Sequence, residues 1–486
     1  MAGLSKSKLI AHLQCPKRLW LQTNRPELAI VDAAQQARMD AGNVVGDLAR
    51  RQYPKGTLID GESLQQALKA TEIALQQPRL AALFEATFCA DSVLVRNDVL
   101  IPEKGGYRLE EVKSSTSVKS YHLNDVAIQA YVTEKSGIPL KQISVVHIDN
   151  TFVYPGNDDY SGLFKAVDVT TDARALMSEV TDWIKAAQKT LKGQEPCINS
   201  GPQCHDPFDC PFISHCHPPA DASIYPIEEL PYSNRIAVAL RSEGFNDIRD
   251  VPKDRLITDK HRRIWKSLTK GKPVLDKGVR DAMAGLSYPR YYLDFETITF
   301  AAPIWVGTRP YQQVPFQWSC HVESHTGKLK HHEWLADGQQ DPRRQFVESL
   351  ISMIGPRRTI LAYNASFERK RLEELALAFP EHEATLLSLM ERIVDLLGIA
   401  RDYYYHPDMR GSWSIKAVLP TIAPELNYKT LSVSNGGMAQ NTFLQLLSPK
   451  VSAEDKNQWR SDLLAYCQRD TYAMVEIAHF FEGKRK

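Results

Sequence analysis

The chain has 486 residues, of which 43% are hydrophobic and 24% charged, as is ordinary for a globular protein. This composition excludes a collagen-like or largely disordered chain, and no apolar stretch is long enough to cross a bilayer. Lysine and arginine total 59 against 58 aspartate and glutamate, so a surface for nucleic acid must be a local basic patch. We expect two or three domains and, because no signal-like apolar run follows Met1, a cytoplasmic protein with no membrane partner.

The first part of the chain predicts a mixed α/β unit. Residues 1–55 are predicted to be helical, and the alternating apolar pattern that follows is typical of strands. The predicted strands cover residues 84–88, 92–101, 107–113 and 143–148. Helices are predicted at 124–134, between the last two strands, and at 173–191.

Polar residues on these elements form a candidate metal site. Asp98 lies in one predicted strand, and Glu111 and Lys113 share a face of the next. A carboxylate pair can hold Mg²⁺, and an adjacent lysine can stabilise negative charge that develops on a phosphate. With Gln129 on the following helix, this pattern resembles the PD-(D/E)xK nuclease superfamily, although an ordinary solvated hairpin is the alternative. The resemblance implies Asp98 and Glu111 as Mg²⁺ or Mn²⁺ ligands and Lys113 and Gln129 as catalytic residues.

Cysteines bracket this candidate site. Four cysteines fall within residues 197–216, and in a reducing compartment such bunching favours metal over disulfides. One early and three late cysteines over residues 4–217 resemble the iron-sulfur nucleases of the RecB and AddB type, which implies a 4Fe-4S cluster. Zinc, with help from His205, His215 and His217, is the alternative. The implied cluster ligands are Cys15, Cys204, Cys210 and Cys216. The cysteines predicted to lie in the core are Cys89, Cys320 and Cys467.

A boundary is predicted after the cysteines. The stretch 218–223, Pro-Pro-Ala-Asp-Ala-Ser, interrupts any periodic pattern. Residues 253–280 carry ten Lys or Arg against three Asp, so this segment is either a solvated helix pair or a basic region that follows a phosphate backbone. We therefore predict a helical, basic linker region at 218–288.

The chain then begins a second α/β pattern. Strands are predicted from residue 291, at 314–322 and at 327–335, with a short strand at 359–363. Helices are predicted at 344–354, 367–378 and 462–481. Strands followed by alternating helices indicate another α/β domain.

Acidic residues recur along this second pattern. Asp294 and Glu296 share a strand face, and Tyr466 and Asp470 share a helix face. Clustered carboxylates repel one another unless divalent cations neutralise them, and such clusters suit two-metal phosphodiester hydrolysis. Each motif alone is common by chance. Their order, with Asn364-x-x-Phe367-Glu368 between them, predicts one divided metal site.

Over residues 290–486 these motifs resemble the DEDD superfamily of 3'-5' exonucleases, which has an RNase H-like fold. The resemblance implies that Tyr466 positions the attacking water and that Asp395 is a secondary ligand. The middle acid departs from the family pattern, since Glu368 stands where Asp is usual. The implied Mg²⁺ or Mn²⁺ ligands are Asp294, Glu296, Glu368 and Asp470.

Together the resemblances imply a restriction-endonuclease-like domain with a cysteine cluster at 1–217, a helical linker at 218–288 and an RNase H-like domain at 289–486. The implied activity is metal-dependent, exonucleolytic hydrolysis of nucleic acid, with DNA expected rather than RNA and with two candidate active sites. A non-catalytic nucleic-acid-binding or scaffold protein and an RNA-processing exonuclease are the alternatives. Protein partners stay open.

Overall fold

The computed structural model describes residues 3–30, 33–61, 63–216, 224–231 and 234–484. The chain divides into two compact units. The N-terminal unit comprises Met1–Pro218 and Phe300–Gln312, and the C-terminal unit comprises Pro219–Thr299 and Gln313–Lys486. His217 and the stretch 218–223 lie outside the described residues. Within the described ranges, no helix has the length and apolar character of a membrane span.

The N-terminal unit combines a mixed sheet with helices. Its strands are β1 (Leu4–Ser5), β2 (Thr57–Leu58), β3 (Leu83–Ala90), β4 (Val93–Glu103), β5 (Gly106–Lys113), β6 (Leu140–Ile148) and β7 (Phe164–Asp168). Its helices are α1 (Lys6–Gln14), α2 (Pro16–Asn24), α3 (Ala33–Arg50), α4 (Leu64–Leu75), α5 (Ser120–Lys135), α6 (Thr170–Lys192) and α7 (Ile213–Cys216).

The strand order of this sheet is β2-β3-β4-β5-β6-β7, and β1 adds to β4 in parallel. Strands β3, β4 and β5 form an antiparallel meander, and Asp91 and Ser92, both with positive φ, match the two-residue turn that such hairpins favour. Strands β5 and β6 run parallel, as the crossover through α5 requires. Helix α5 is buried from Asp125 to Thr133 and, with α6, covers the core on one side of the sheet.

The second segment of the N-terminal unit joins a smaller cluster. Ala301 and Ala302 pack with Val45 and Ile148, and the Thr308 carbonyl accepts a hydrogen bond from the Tyr154 amide at 3.0 Å. Residues 300–312 connect two neighbouring strands of the other unit's sheet. A strand connection therefore supplies part of the N-terminal unit.

The C-terminal unit begins with short helices and continues as a second mixed sheet. Its strands are β8 (Val274–Leu275), β9 (Arg290–Ile298), β10 (Val314–Glu323), β11 (Leu329–Leu335), β12 (Ile360–Ala362), β13 (Ile393–Asp395) and β14 (Tyr404–Tyr405). Its helices are α8 (Asn234–Ser242), α9 (Asp259–Lys270), α10 (Val279–Ala284), α11 (Arg343–Met353), α12 (Ser366–Ala378), α13 (Glu383–Glu391), α14 (Leu396–Tyr403), α15 (Ile415–Ile422), α16 (Gly436–Leu446) and α17 (Ala453–Glu482).

The five-stranded sheet has the order β11-β10-β9-β12-β13. Strands β9, β10 and β11 are antiparallel, whereas β12 and β13 continue in parallel with β9. Side chains of β9 alternate between two cores: Leu293 and Phe295 pack on the side of α11 and α12, and Tyr292 packs with α17. The mixed α/β architecture expected from the sequence is confirmed in both units.

The basic segment predicted as a linker packs inside the C-terminal unit. Ile264 and Leu268 of α9 and Val279 of α10 share a core with Tyr404 and Phe481. Helix α9 is strongly amphipathic, because Ile264 and Leu268 share one face and most of its basic residues lie on the other. Most of its charge therefore lies on the face opposite the core.

Candidate metal centres of the two units

The acidic site of the C-terminal unit begins on β9. Because Leu293 and Phe295 face the other core, Asp294 and Glu296 project together toward α17. The thiol of Cys467 on α17 donates to Asp294 Oδ2, with the sulfur 3.4 Å from that oxygen. Asp294, Glu296 and Cys467 each offer one ligand atom, and these three atoms lie within 4.8 Å of one another.

Helix α17 adds a tyrosine and a carboxylate to this site. Tyr466 and Asp470 are one turn apart and both are buried. The Tyr428 hydroxyl donates to Asp470 Oδ1 at 2.5 Å, and Lys416 Nζ donates to the Tyr466 hydroxyl at 3.0 Å. Lys416 also lies over the rings of Tyr428 and Tyr466, 5.3 and 4.9 Å from their centroids. Tyr428 was not predicted as a site residue.

Glu368 enters the site from the first turn of α12. Asn364, with φ of 77°, turns the chain sharply between β12 and this helix. Glu368 is 2% exposed, and its Oε2 has no hydrogen-bond partner among the described residues. A buried carboxylate oxygen without a partner is costly, unless a cation or a proton occupies it.

Asp395 has a different environment. Its Oδ1 accepts hydrogen bonds from the backbone amides of Asn364, Ala365 and Leu397 at 3.1 to 3.3 Å. The Leu397 amide lies in the first turn of α14, so Asp395 caps that helix. Asp395 therefore supports the turn that leads to Glu368.

A cavity of about 700 Å³ opens on these groups. Its wall also carries Trp413, Lys260 and Arg401, which place aromatic and cationic side chains beside the acids. The site residues that line it are Asp294, Glu296, Glu368, Lys416, Tyr466 and Asp470. All four principal predicted ligands thus reach one cavity. The secondary candidate, Asp395, is not among the residues that line it.

The carboxylates of this site bind protons more tightly than usual. Burial, together with the charge of Asp470, raises the pKa of Asp294, and burial with the neighbouring Asp294 raises that of Glu296. Burial and Asp294 act on Glu368 in the same direction. Burial raises the pKa of Asp470 to about 6, against the opposing effects of Tyr428 and Lys416. Divalent cations would offset the cost of burying these charges and remove the repulsion that adds to it at Asp294, Glu296 and Glu368.

The candidate site of the N-terminal unit forms where β4 and β5 separate. Their ladder ends at Val99 and Glu110, and beyond it Asp98 Oδ2 accepts the Val112 amide at 2.8 Å. Glu111 and Lys113 share a face as predicted, and Lys113 Nζ lies 2.6 Å from Glu111 Oε1. The described geometry therefore places Asp98 and the Glu-x-Lys pair next to each other.

Helix residues complete this second site. The Gln129 amide donates to Glu111 Oε2 at 2.5 Å, and Lys113 forms an ion pair with Asp125. Lys6, at the start of α1, lies 2.8 Å from Glu111 Oε1 and 3.0 Å from Asp125 Oδ1. Sequence reasoning missed Lys6 and Asp125, since the contact between Lys6 and Glu111 spans 105 residues.

Two lysines determine the charges of these acids. Burial opposes ionisation of Glu111, but Lys113 and Lys6 lower its pKa below the usual range. In turn, the charges of Glu111 and Asp125 raise the pKa of Lys113 and of Lys6, although burial lowers it. Burial and the charge on Glu111 raise the pKa of Asp98. Without a metal, Glu111 is the ionised acid and Asp98 is the one that tends to hold a proton.

The four predicted cluster cysteines lie near one another in the N-terminal unit. Cys15 separates α1 from α2, and Cys216 ends α7. The Cys210 amide donates to the Cys204 carbonyl at 2.8 Å, and both residues are buried beside Phe212. Burial raises the pKa of the Cys216 thiol, Lys17 lowers it, and the other three thiols raise it further. All eight cysteines are free thiols, and Cys89, which was predicted to be in the core, is exposed.

The histidines near these thiols have carboxylate partners. His205 Nδ1 lies 2.8 Å from Asp209 Oδ1, and its side chain is 64% exposed. His215 Nε2 lies 2.9 Å from Glu195 Oε1. His205 and His215 thus each have one ring nitrogen paired with a carboxylate.

Comparisons with known proteins concern parts of the chain. Residues 291–414 match a domain of unknown function, DUF2779, and this range contains Asp294, Glu296 and Glu368 but ends before Tyr466. The chain is 27% identical over 224 residues to the uncharacterized protein UU173 of Ureaplasma parvum, a match that covers 42% of this chain and 32% of that relative. It is 28% identical over 220 residues to the uncharacterized MG366 homolog of Mycoplasma pneumoniae, covering 40% of this chain and 32% of the relative.

These curated relatives are longer than the matched region, since the chain spans about a third of their length. Among solved structures, one described as the crystal structure of SSO0001 aligns with 44% of this chain and 86% of its own. That alignment has 16% sequence identity and a TM-score of 0.23.

Proposed function

We propose that this chain is a metal-dependent nuclease that hydrolyses phosphodiester bonds of DNA from an end, with its principal active site in the C-terminal unit. The observation that carries the proposal is the convergence of Asp294, Glu296, Glu368 and Asp470 on one cavity with Tyr466 beside them. Three antiparallel strands that continue into two parallel ones support an RNase H-like fold for this unit.

The donor set fits hard divalent cations. Mg²⁺ and Mn²⁺ prefer carboxylate oxygens, and the unpartnered Oε2 of Glu368 is one such oxygen. Asp294, Glu296, Glu368 and Asp470 would hold the ions. Bound there, the ions would supply activation of water and stabilisation of negative charge on the phosphate.

The neighbouring side chains orient the reactants. The Tyr466 hydroxyl can hydrogen-bond a water molecule while Lys416 Nζ donates to its oxygen, which fixes the direction of its O–H group. Lys416 also places a positive charge beside the cavity, where it can attract the scissile phosphate. A cavity of about 700 Å³ falls within the range of small-ligand pockets and suits a terminal nucleotide.

We extend the proposal to the N-terminal unit as a second nuclease site of the PD-(D/E)xK kind. Asp98 and Glu111 would hold a cation, and Lys113 would stabilise charge on the reacting phosphate. One observation favours the non-catalytic alternative for this site. Both oxygens of Glu111 are already engaged, Oε1 by Lys6 and Lys113 and Oε2 by Gln129.

The cysteines support a 4Fe-4S cluster. Around a single zinc ion, four thiolates at about 2.3 Å would lie about 3.8 Å from one another. All four cysteines belong to the described residues, and no three of their sulfur atoms lie within 4.8 Å of one another. This spacing favours a larger cluster, which would tie Cys15 to the segment 204–216.

Cleavage assays with the full chain test the proposal. End-labelled single-stranded DNA and RNA are incubated with protein and Mg²⁺, Mn²⁺ or EDTA, and we expect shortening of DNA only with a metal. Asp294→Asn should reduce the rate at least about 100-fold. Glu454→Gln, an exposed carboxylate on the same helix as Asp470, is the matched control and should cut normally. A shift of the strand without shortening would indicate a binding protein, and preferential shortening of RNA would indicate an RNA-processing enzyme.

A further inference from the structure

The thiol of Cys467 lies among the carboxylates proposed to bind metal. Cys467 is fully buried on α17, and its sulfur is 3.4 Å from Asp294 Oδ2. With Asp294 and Glu296 it forms the group of three potential ligand atoms within 4.8 Å of one another. The sequence predicted a core cysteine, and Cys467 is indeed buried. Its thiol, however, contacts a carboxylate.

A second observation indicates that this place binds a ligand. Glu368 is 2% exposed and lines the same cavity as Asp294 and Glu296. Its Oε2 has no hydrogen-bond partner among the residues that the structure describes. The protein thus leaves an acceptor without a donor in the cavity that Asp294 and Glu296 also line, as a cation site does before it is filled.

The other buried cysteine of this unit shows what an ordinary core thiol looks like here. Cys320 on β10 is also fully buried, but it packs with Leu293 and Phe295 on the opposite side of the sheet. Its sulfur is 3.7 Å from a backbone carbonyl, that of His321. Burial alone therefore does not place a cysteine near carboxylates in this fold.

We propose that Cys467 is a soft donor in the C-terminal metal site, so that this site accepts thiophilic divalent cations such as Cd²⁺ and Zn²⁺ on Asp294, Glu296 and the Cys467 sulfur. Thiolates favour soft and borderline metals, whereas carboxylates serve hard ones, and a mixed set serves both. On binding, the cation takes the place of the thiol proton, which is released to solvent. The inference rests on the proposed metal site but not on nuclease turnover.

Cadmium provides the probe, because its bond to a thiolate gives an ultraviolet charge-transfer absorption that carboxylates do not. The full chain, isolated with its N-terminal cysteine site loaded, is titrated with Cd²⁺, and the same titration is run on Cys467→Ser and Cys320→Ser. We expect part of the absorption to disappear in Cys467→Ser, with an affinity loss of at least about tenfold, and to persist in Cys320→Ser. Because the N-terminal thiols are present in all three proteins, their contribution cancels in the difference.

Two further measurements keep the test decisive if Cys467→Ser does not fold. Glu296→Gln retains the thiol and should weaken the absorption, since the carboxylate shares the ion. Excess Mn²⁺ added to the unmodified protein should displace Cd²⁺ from the carboxylates and reduce the signal. An absorption that is the same in Cys467→Ser, or that responds to neither Glu296→Gln nor Mn²⁺, would overturn the inference. Cleavage of DNA with Mg²⁺ is scored separately, so that loss of the nuclease proposal and loss of this one are distinguishable.

Discussion

Asp294 and Asp470 show how single residues acquire unusual chemistry from their surroundings. Each is an ordinary carboxylic acid in sequence, but burial raises the pKa of both, and the charge of Asp470 raises that of Asp294 further. Opposing this, the Tyr428 hydroxyl and Lys416 favour the ionised form of Asp470. The folded protein thus holds acids that favour either a proton or a metal.

We predict a specific dependence of stability on pH in metal-free protein. Burial raises the pKa of Asp470 from 3.8 to about 6, so its protonated form is favoured by the fold. The resulting stabilisation is fully present below pH 3.8 and is lost as the pH rises through about 6. The free energy of unfolding should fall by about 3 kcal/mol over this range. Chemical denaturation in EDTA should show a smaller loss in Asp470→Asn than in the unmodified protein, because the other buried acids still titrate. Mn²⁺ should diminish the loss in the unmodified protein. Equal pH dependence of both proteins in EDTA would contradict the assignment.

A second residue-scale prediction concerns the tyrosine next to the acids. Tyr466→Phe removes the hydroxyl that accepts from Lys416 but retains the ring, so metal binding should persist while cleavage slows about 100-fold. The rate of DNA shortening under saturating Mn²⁺ and the Mn²⁺ affinity are measured together. Tyr472→Phe serves as the control, because this tyrosine lies six residues further along α17, with its ring near His321. Unchanged cleavage by Tyr466→Phe would show that the hydroxyl has no part in the reaction.

At the scale of elements, periodicity explains what could be predicted. The strand period placed Asp294 and Glu296 on one face, and the helix period placed Tyr466 and Asp470 on another, as β9 and α17 show. The roles of Lys6, Lys416 and similar residues could not be predicted in this way. Their contacts join distant elements, and no local pattern distinguishes such a lysine from a solvated one.

The first helix provides a prediction at this scale. Strand β1 pairs with β4, and Ser5 Oγ caps α1 by accepting the Lys8 amide at 3.3 Å, which fixes the start of the helix at Lys6. Ser5→Ala should lower the free energy of unfolding by about 1 kcal/mol and weaken any cleavage that depends on Lys113. Ser63→Ala, the cap of α4 in the same unit, should cost similar stability and leave cleavage unchanged. Equal effects of both variants on cleavage would show that the start of α1 does not support the N-terminal site.

At the scale of the whole molecule, each unit has its own candidate centre. The sequence predicted a boundary near residue 218, and the first unit's main segment ends at Pro218. The return of residues 300–312 to the N-terminal unit was not predicted, because apolar residues in a strand connection do not reveal which core they join. Hydrophobic burial is non-directional, so composition alone does not determine the partner.

The cysteine site gives a prediction for the molecule as isolated. Protein purified without oxygen should be brown and contain iron, and Cys15→Ser should lose the colour and unfold its N-terminal unit at lower denaturant, because the link from α1 to the segment 204–216 is broken. Cys89→Ser, an exposed thiol on β3, should retain both properties. Absorption, metal analysis and denaturation measure these outcomes. A colourless protein with stoichiometric zinc would contradict the cluster.

The proposed activity depends most on the acids of the C-terminal unit, and cleavage in a background without the other site tests their role directly. End-labelled single-stranded DNA is incubated with Mn²⁺ and either Lys113→Met or the Lys113→Met, Asp294→Asn double variant. We predict that Lys113→Met still shortens the strand, and that adding Asp294→Asn reduces the rate at least about 100-fold while both proteins stay folded. Equal shortening by the two proteins would contradict a catalytic role for the acidic cavity.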